Sequence, residues 1–212
     1  ECSASENDIN LLRDFEKPYN GKLYGKNVFL GCFNKSKYKW TLYNKIFKAD
    51  VCKKAIHSQK DMHILVAEGA LSFFYIAYYS NSYRGYLGKG LYNYCYGRGG
   101  SGGKLINLEL LKRQCSASHA VRAMERFASN QNLSDEYCYA IYRFKKEMIN
   151  CSTNWLVNNL PEDEKKDGFD VIMDHWTHND VIASLAGKKI DKYRLSKQLM
   201  NAKSLKYRGG SI

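Results

Sequence analysis

The segment from Asp61 to Tyr79 constrains this chain's fold most. It is the longest apolar stretch, with Ile64, Leu65, Val66 and Ala67 followed by Leu71, Phe73, Phe74, Tyr75, Ile76, Tyr78 and Tyr79. A segment this apolar has to be buried, and a helix would satisfy its backbone internally, with Asp61 able to cap the start. Shorter patterns at helical spacing cover Ser5 to Phe15, Tyr38–Ala49 (through Trp40, Leu42, Tyr43, Ile46 and Phe47), Leu105–Arg113 and Asp135–Met148. Others cover Phe169–Ala186, Lys188–Met200 and a stretch starting near Ser116 or Ser118, whose hydroxyls can cap it. Pro18 to Gly21 reads as a turn, and Pro161 to Gly168 as an exposed charged connection. Tyr83–Gly103 holds too much Gly and Tyr for a stable helix and reads as loop and short strand. The expectation is a mainly α protein with a small irregular or β element in the middle.

At 212 residues, 44% hydrophobic and with only two prolines, the chain is long and apolar enough for one domain with its own core. No run reaches membrane-spanning length. The opening Glu1-Cys2 reads as the start of a processed product. Seven cysteines (Cys2, Cys32, Cys52, Cys95, Cys115, Cys138, Cys151) are widely spaced with no CxxC pair. Zinc-ribbon and thioredoxin-like arrangements fail on that spacing, whereas long-range disulfides in an oxidising compartment fit it. Asn-x-Ser/Thr acceptors at Asn34, Asn132 and Asn150 point the same way, to a secreted, extracellular protein. The formal net charge of +12 is scattered along the chain rather than gathered into a recognition helix or an RNP-like motif. It argues for an anionic matrix, cell wall or protein partner rather than a specific nucleic acid. Nothing demands a metal or an organic cofactor, and the expected state is a monomer.

Glu68 closes the apolar run Ile64 to Ala67, and no other acid follows until Glu109. A carboxylate among apolar groups is disfavoured in its charged form, which is how a proton donor for a glycosidic oxygen is made. The plain alternative is an exposed helix residue. The tyrosines that follow, Tyr75, Tyr78, Tyr79, Tyr83, Tyr86, Tyr92, Tyr94 and Tyr96, either line a saccharide cleft or pack in an aromatic core.

Several blocks in order resemble the family 19 glycoside hydrolases, the chitinases, and most of all their loop-deleted class. Leu65-Val66-Ala67-Glu68-Gly69-Ala70, followed by Phe73-Phe74-Tyr75-Ile76, stands where that family carries its His-Glu-Thr-Gly and Phe-Cys-Tyr-Ile segments. Tyr86-Leu87-Gly88-Lys89-Gly90-Leu91 and Tyr92-Asn93-Tyr94-Cys95-Tyr96-Gly97 resemble the glycine-rich and Asn-Tyr-rich turns. Leu105–Leu111 and Ser118–Gln131 match the Leu-Leu segment and the helix after it. Ile149-Asn150-Cys151-Ser152 resembles the Ile-Asn-Gly-Gly segment, and Lys189-Ile190-Asp191-Lys192-Tyr193 the closing helix. The resemblance implies a lysozyme-like, two-lobed helical domain over 35–200, with 1–34 as an N-terminal extension packed on it and 201–212 as a mobile tail.

The resemblance also implies Glu68 as general acid and Tyr75, Tyr86, Asn93, Tyr94, Cys95 and Asn150 as groups lining a sugar cleft. Inverting enzymes need a second carboxylate about 6.5–9.5 Å from the acid. The place for it reads Ala77-Tyr78-Tyr79-Ser80, without an acid. Losing a general base costs about 10²–10⁴-fold, so hydrolysis is expected to be weak or lost. Three functions follow as expectations. The first is binding of chitin or another β-1,4-linked N-acetylglucosamine polymer without efficient cleavage. The second is an interaction protein on a repurposed scaffold, binding a partner through its basic surface. The third is an active endochitinase with a relocated base. His175-Trp176-Thr177-His178 reads as a polar helix end around one buried Trp rather than a metal site, and Cys115 with His119 as structural rather than a nucleophile and base.

Overall fold

The structure, a computed structural model, describes residues 19–59, 64–86, 88 and 106–186. It is mainly helical, with one small two-stranded sheet. Strand β1 (Lys22–Tyr24) pairs antiparallel with β2 (Ser82–Arg84), Leu23 opposite Tyr83. The turn before β1 closes through Gly21 N–H to the Tyr19 carbonyl at 3.0 Å. Gly85 follows β2 so closely against the Tyr19 carbonyl that a Cβ there would stand 1.7 Å from its oxygen, so only glycine fits.

The helices are α1 (Lys26–Phe33), α2 (Ala49–Ser58), α3 (Glu68–Tyr79), α4 (Leu108–Cys115), α5 (Ala117–Asn130), α6 (Asp135–Asn158) and α7 (Lys165–His175). A further helix covers 178–186. Helix α3 packs on α1, α2 and α5, while α6 packs on α1, α4, α5 and α7. Aromatic rings fill the centre. Phe29 meets Phe74 edge-on at 5.1 Å, Phe33 stacks on Trp40 at 6.3 Å, and Phe127 receives the edges of Phe74, Tyr75 and Tyr78. Each such ring contributes about 1.5–3 kcal/mol by leaving water. Residues 19–34 are packed into this core, since α1 buries Val28, Phe29, Leu30 and Phe33.

Several expected elements are corrected. The helix expected over Asp61–Tyr79 starts only at Glu68, and residues 64–67 lead in without helix, Ala67 taking a left-handed φ of 70°. The Ser116 hydroxyl accepts from the Leu65 and Val66 N–H groups at 3.3 and 3.2 Å, giving that backbone a partner outside a helix. Asp61 lies outside the described residues. Tyr38–Ala49 is irregular up to Lys48, where α2 is entered. Its helical spacing belongs to a loop that sets Tyr38, Trp40 and Phe47 onto the core, with Lys45 Nζ bonded to the Thr41 carbonyl at 2.6 Å. The pattern over Phe169–Ala186 is two helices, broken where Trp176 turns extended to bury its ring. Ser116 does not cap α5, because its hydroxyl donates back to the Arg113 carbonyl at 2.7 Å. Asn107 caps α4, its Oδ1 accepting from Leu110 N–H at 2.9 Å. The strand expected within Tyr83–Gly103 is found at Ser82–Arg84, and Ser5 to Phe15 and Lys188–Met200 lie outside the described residues.

The long-range disulfides expected from cysteine spacing are not formed by Cys32, Cys52, Cys115 or Cys138, which carry free thiols, while Cys2 and Cys95 lie outside the described residues. Burial pushes Cys32 up to about 12 and Cys115 up to about 11, so both are neutral components of the core.

Candidate functional site

Of the residues expected to form a sugar cleft around Glu68, the structure describes Tyr75, Tyr86 and Asn150. Glu68 is exposed in the first turn of α3, where a carboxylate complements the helix dipole. The burial that a proton donor requires is absent. Tyr75 lies in the core, 3% exposed, and burial raises its phenol, outweighing the opposing pull of Arg126. It packs on Phe74 and Phe127 instead of facing a ligand. Tyr86 is 78% exposed. Asn93, Tyr94 and Cys95 fall outside the described residues.

Among the described residues, the expected site residue Asn150 borders a cavity. It belongs to the interior of α6 rather than to the cleft turn implied by the family segment. Its Oδ1 accepts from the Ser184 hydroxyl at 2.6 Å, and that hydroxyl also lies 2.8 Å from Thr153 Oγ1. Two cavities flank α6 and share Tyr142, Lys146, Glu147 and Asn150. One, of about 360 Å³, lies between α6 and the chain following α1, lined by Phe33, Ser36, Lys39, Trp40, Tyr139, Tyr142, Arg143, Lys146, Glu147 and Asn150, with Cys32 also on its wall. The other, of about 760 Å³, lies between α6 and 178–186, with Lys145, Asn154, Asp180 and Ser184 on its walls. Glu68 lines neither.

The stripe that α6 contributes to the cavity on the α1 side follows from helical spacing. Tyr139, Tyr142, Arg143, Lys146, Glu147 and Asn150 recur at intervals of three and four and so project from one face of α6. Ala140, Ile141, Phe144 and Met148 point the other way into the core. Ile141 and Phe144 are buried, whereas Tyr139 and Tyr142 are each 55% exposed. Large rings left half in water along a groove are unlike the core-packed tyrosines of α3.

The two flanks differ electrostatically. Beside 178–186, Lys145 lies 3.0 Å from Asp180 and 3.6 Å from Glu125. Burial lowers the Lys145 amine, but those carboxylates outweigh it and the net direction is up. Burial likewise raises the Asp180 carboxyl, but the Thr177 hydroxyl and Lys145 overcome it and hold it below the ordinary range. That flank is internally neutralised. On the α1 side, Lys39, Arg143 and Lys146 face Glu147 alone among acids lining the cavity. Arg143 Nη1 donates to the Asn34 carbonyl, and among the described residues neither Arg143 nor Lys146 forms an ion pair. Lys39 Nζ sits 5.8 Å from the Trp40 ring centroid, a cation–π approach.

The remaining sequence candidates fall to structural roles. Trp176 is buried at the end of α7, as expected for a polar helix end around one Trp, and no metal-holding cluster occurs among the described residues. His175 meets the His119 ring at 6.1 Å, an approach not anticipated from sequence. No described helix is long and apolar enough to cross a membrane. No family model, curated protein or solved structure matches this chain.

Proposed function

We propose that this chain is a secreted, non-catalytic interaction protein that binds an anionic matrix or partner surface through the exposed face of α6. The observation that carries this reading is the cavity on the α1 side of α6. It sets Lys39, Arg143 and Lys146 beside the rings of Trp40, Tyr139 and Tyr142 and opposes them with one carboxylate, Glu147. Cations next to half-exposed rings suit recognition of anionic groups on a flat or ring-shaped ligand. The net charge of +12 adds long-range attraction to the same class of partner. The test is retention of the full chain on a sulfated matrix compared with an uncharged one, read across increasing salt. Salt-dependent retention is expected, and passage through both matrices at low salt refutes the reading.

A second reading is favoured by the position of Asn150, the residue matching the family's cleft asparagine, in the same groove as Tyr139 and Tyr142. On it the chain is a divergent, lysozyme-like, two-lobed chitinase relative that binds N-acetylglucosamine polymers by stacking sugar faces on the rings, without hydrolysis. Glu68 has no role in that groove, so a Glu68→Gln variant should hold chitin as well as the parent does. Turnover of a chitooligosaccharide that is abolished by Glu68→Gln would instead favour an active enzyme with a relocated base.

A further inference from the structure

We infer that the α6 groove takes a polyanionic polysaccharide, a strand of sugar rings bearing sulfate or carboxylate groups, laid along the stripe from Tyr139 to Asn150. The inference rests on the reading of α6 as the face for an anionic partner and names the chemistry of that partner. Three properties of the groove select it. First, the stripe extends about 16 Å along the helix, taking 1.5 Å per residue, so it suits an extended chain rather than one isolated ion. Second, its cations are spaced rather than continuous, Arg143 and Lys146 lying one helical turn apart with Glu147 beside them. A nucleic acid presents a phosphate at every nucleotide and is best met by an unbroken basic track, in which a carboxylate repels. A sulfated or carboxylated sugar strand also carries free hydroxyls beside its anions, and hydroxyls donate well to a carboxylate such as Glu147. Third, Tyr139 and Tyr142 stand half-exposed on the same face and offer ring surfaces to the apolar faces of pyranoses.

The groove is also rigid. Its floor includes Phe33, Phe144 and the buried Cys32, and Trp40 is pinned between the rings of Phe33 (6.3 Å) and Phe144 (5.3 Å). A ligand therefore meets a floor that is already packed, while ordering the exposed Arg143 and Lys146 side chains costs part of the gain.

The test uses the full chain with heparin as the polyanionic polysaccharide, a chemically desulfated heparin retaining its carboxylates, chitohexaose as the neutral sugar, and single-stranded polyuridylate. Affinities are measured at several salt concentrations for the parent and three variants. Arg143→Ala/Lys146→Ala removes the groove cations, and its heparin affinity is expected to fall about tenfold or more. Lys53→Ala/Lys54→Ala removes the same charge from the exposed side of α2 and is expected to change affinity less than threefold. Tyr139→Ser/Tyr142→Ser is expected to weaken heparin while leaving the salt slope unchanged, because the rings carry no charge. Loss of binding on desulfation assigns sulfate as the anion, and persistence assigns carboxylate, either result supporting a polyanionic sugar.

Equal losses from the α2 and α6 double variants would show diffuse attraction and overturn the site while leaving the anionic-partner reading standing. Polyuridylate binding as tight as heparin, through Arg143 and Lys146, would overturn the polysaccharide assignment. Chitohexaose binding equal to heparin would overturn the requirement for negative charge. A parent chain that binds no polyanion at low salt would refute the underlying reading itself. All substituted side chains are exposed, and circular dichroism with thermal melting confirms that each variant is folded.

Discussion

Replacing Gly168 with alanine sets two opposed effects against each other at one atom. Gly168 is buried in α7, where alanine is favoured over glycine by up to about 1 kcal/mol of helix propensity. The added Cβ would stand 2.4 Å from Leu160 Cδ2, 3.0 Å from Leu156 Cδ1 and 3.1 Å from Leu111 Cδ2. These leucines are 5%, 6% and 0% exposed, so none can swing aside into solvent. Overpacking of this kind costs about 1–3 kcal/mol, so steric conflict wins and Gly168→Ala should destabilise by about 1–2 kcal/mol. For a chain of this size that is a fall in Tm of about 2–8 °C.

The assay is urea and thermal unfolding of four proteins: parent, Gly168→Ala, Leu160→Ala and the double variant. Leu160→Ala alone opens a cavity and should cost about 2–5 kcal/mol. In the double variant the methyl at 168 occupies part of that space, so the combined loss should fall short of the sum by at least about 0.5 kcal/mol. A Gly168→Ala protein more stable than the parent would show that helix propensity dominates, and the close packing of α7 on Leu111, Leu156 and Leu160 would be wrong. Additive losses would refute the contact with Leu160 specifically.

Tyr38 donates its hydroxyl to the Val28 carbonyl from a buried position, so Tyr38→Phe should cost about 0.5–1.5 kcal/mol in urea unfolding while its ring stacking on Tyr83 at 4.2 Å is kept; an unchanged midpoint would refute that bond. In thiol labelling at pH 8 read by peptide mass spectrometry, Cys52 and Cys138 should react in the folded state, and Cys32 and Cys115 only as fast as the protein unfolds; prompt labelling of Cys32 would contradict its burial. Burial, Arg122 and His175 all lower the His119 imidazole, so the unfolded chain binds its proton more readily, and stability should decline as pH falls below about 6.5. Asp180 is held below its ordinary value of 3.8, so its contribution is present above that value and is lost as pH falls through the lower folded one. Urea midpoints from pH 7 to 3 should show both steps, with the upper one reduced in His119→Gln; an identical profile for that variant would refute its assignment.

Local chemistry made parts of this architecture legible. The helices around Leu108 and Asp135 follow their apolar spacing, and the buried Trp176 and the absence of helix in described residues just after Tyr83 were readable from residue type. Other parts were not legible, for specific physical reasons. The aromatic spacing of Tyr38, Trp40 and Phe47 imitates a helix, but a loop can set rings onto a core at similar intervals when other elements satisfy its backbone. The apolar run before Glu68 ends in a left-handed Ala67 and a hydrogen bond from the Val66 N–H to a distant Ser116, a tertiary contact that no local pattern encodes. The apolar neighbours of Glu68 in sequence do not decide its burial: residues 64 to 66 precede α3, and Glu68 stands exposed in its first turn. Separating exposed Tyr139 and Tyr142 from buried Ile141 and Phe144 on α6 needed only the helical angle of each position, and that signal was present in the sequence.

The placement of the groove on α6 follows from how that helix is braced. A recognition surface holds its geometry only if the element beneath it cannot shift, and α6 is packed by α1, α4, α5 and α7. Buried Phe144 and Ile149 lock its inner face, while Ser152 and Thr153 donate back to the Met148 and Ile149 carbonyls within the helix and leave no buried hydroxyl without a partner there. The outer face is then free to carry residues that add little to stability. Removing Lys146, Tyr139 or Tyr142 should therefore change stability by no more than about 0.5 kcal/mol, as is usual for surface substitutions away from caps and ion pairs, whereas removing Arg143 also loses its bond to the Asn34 carbonyl and should cost about 0.5–1.5 kcal/mol. That separation is what the α6 assignment requires. If these variants lost ligand and unfolded together, the stripe would be part of the scaffold, and the claim that it is a binding surface would fail.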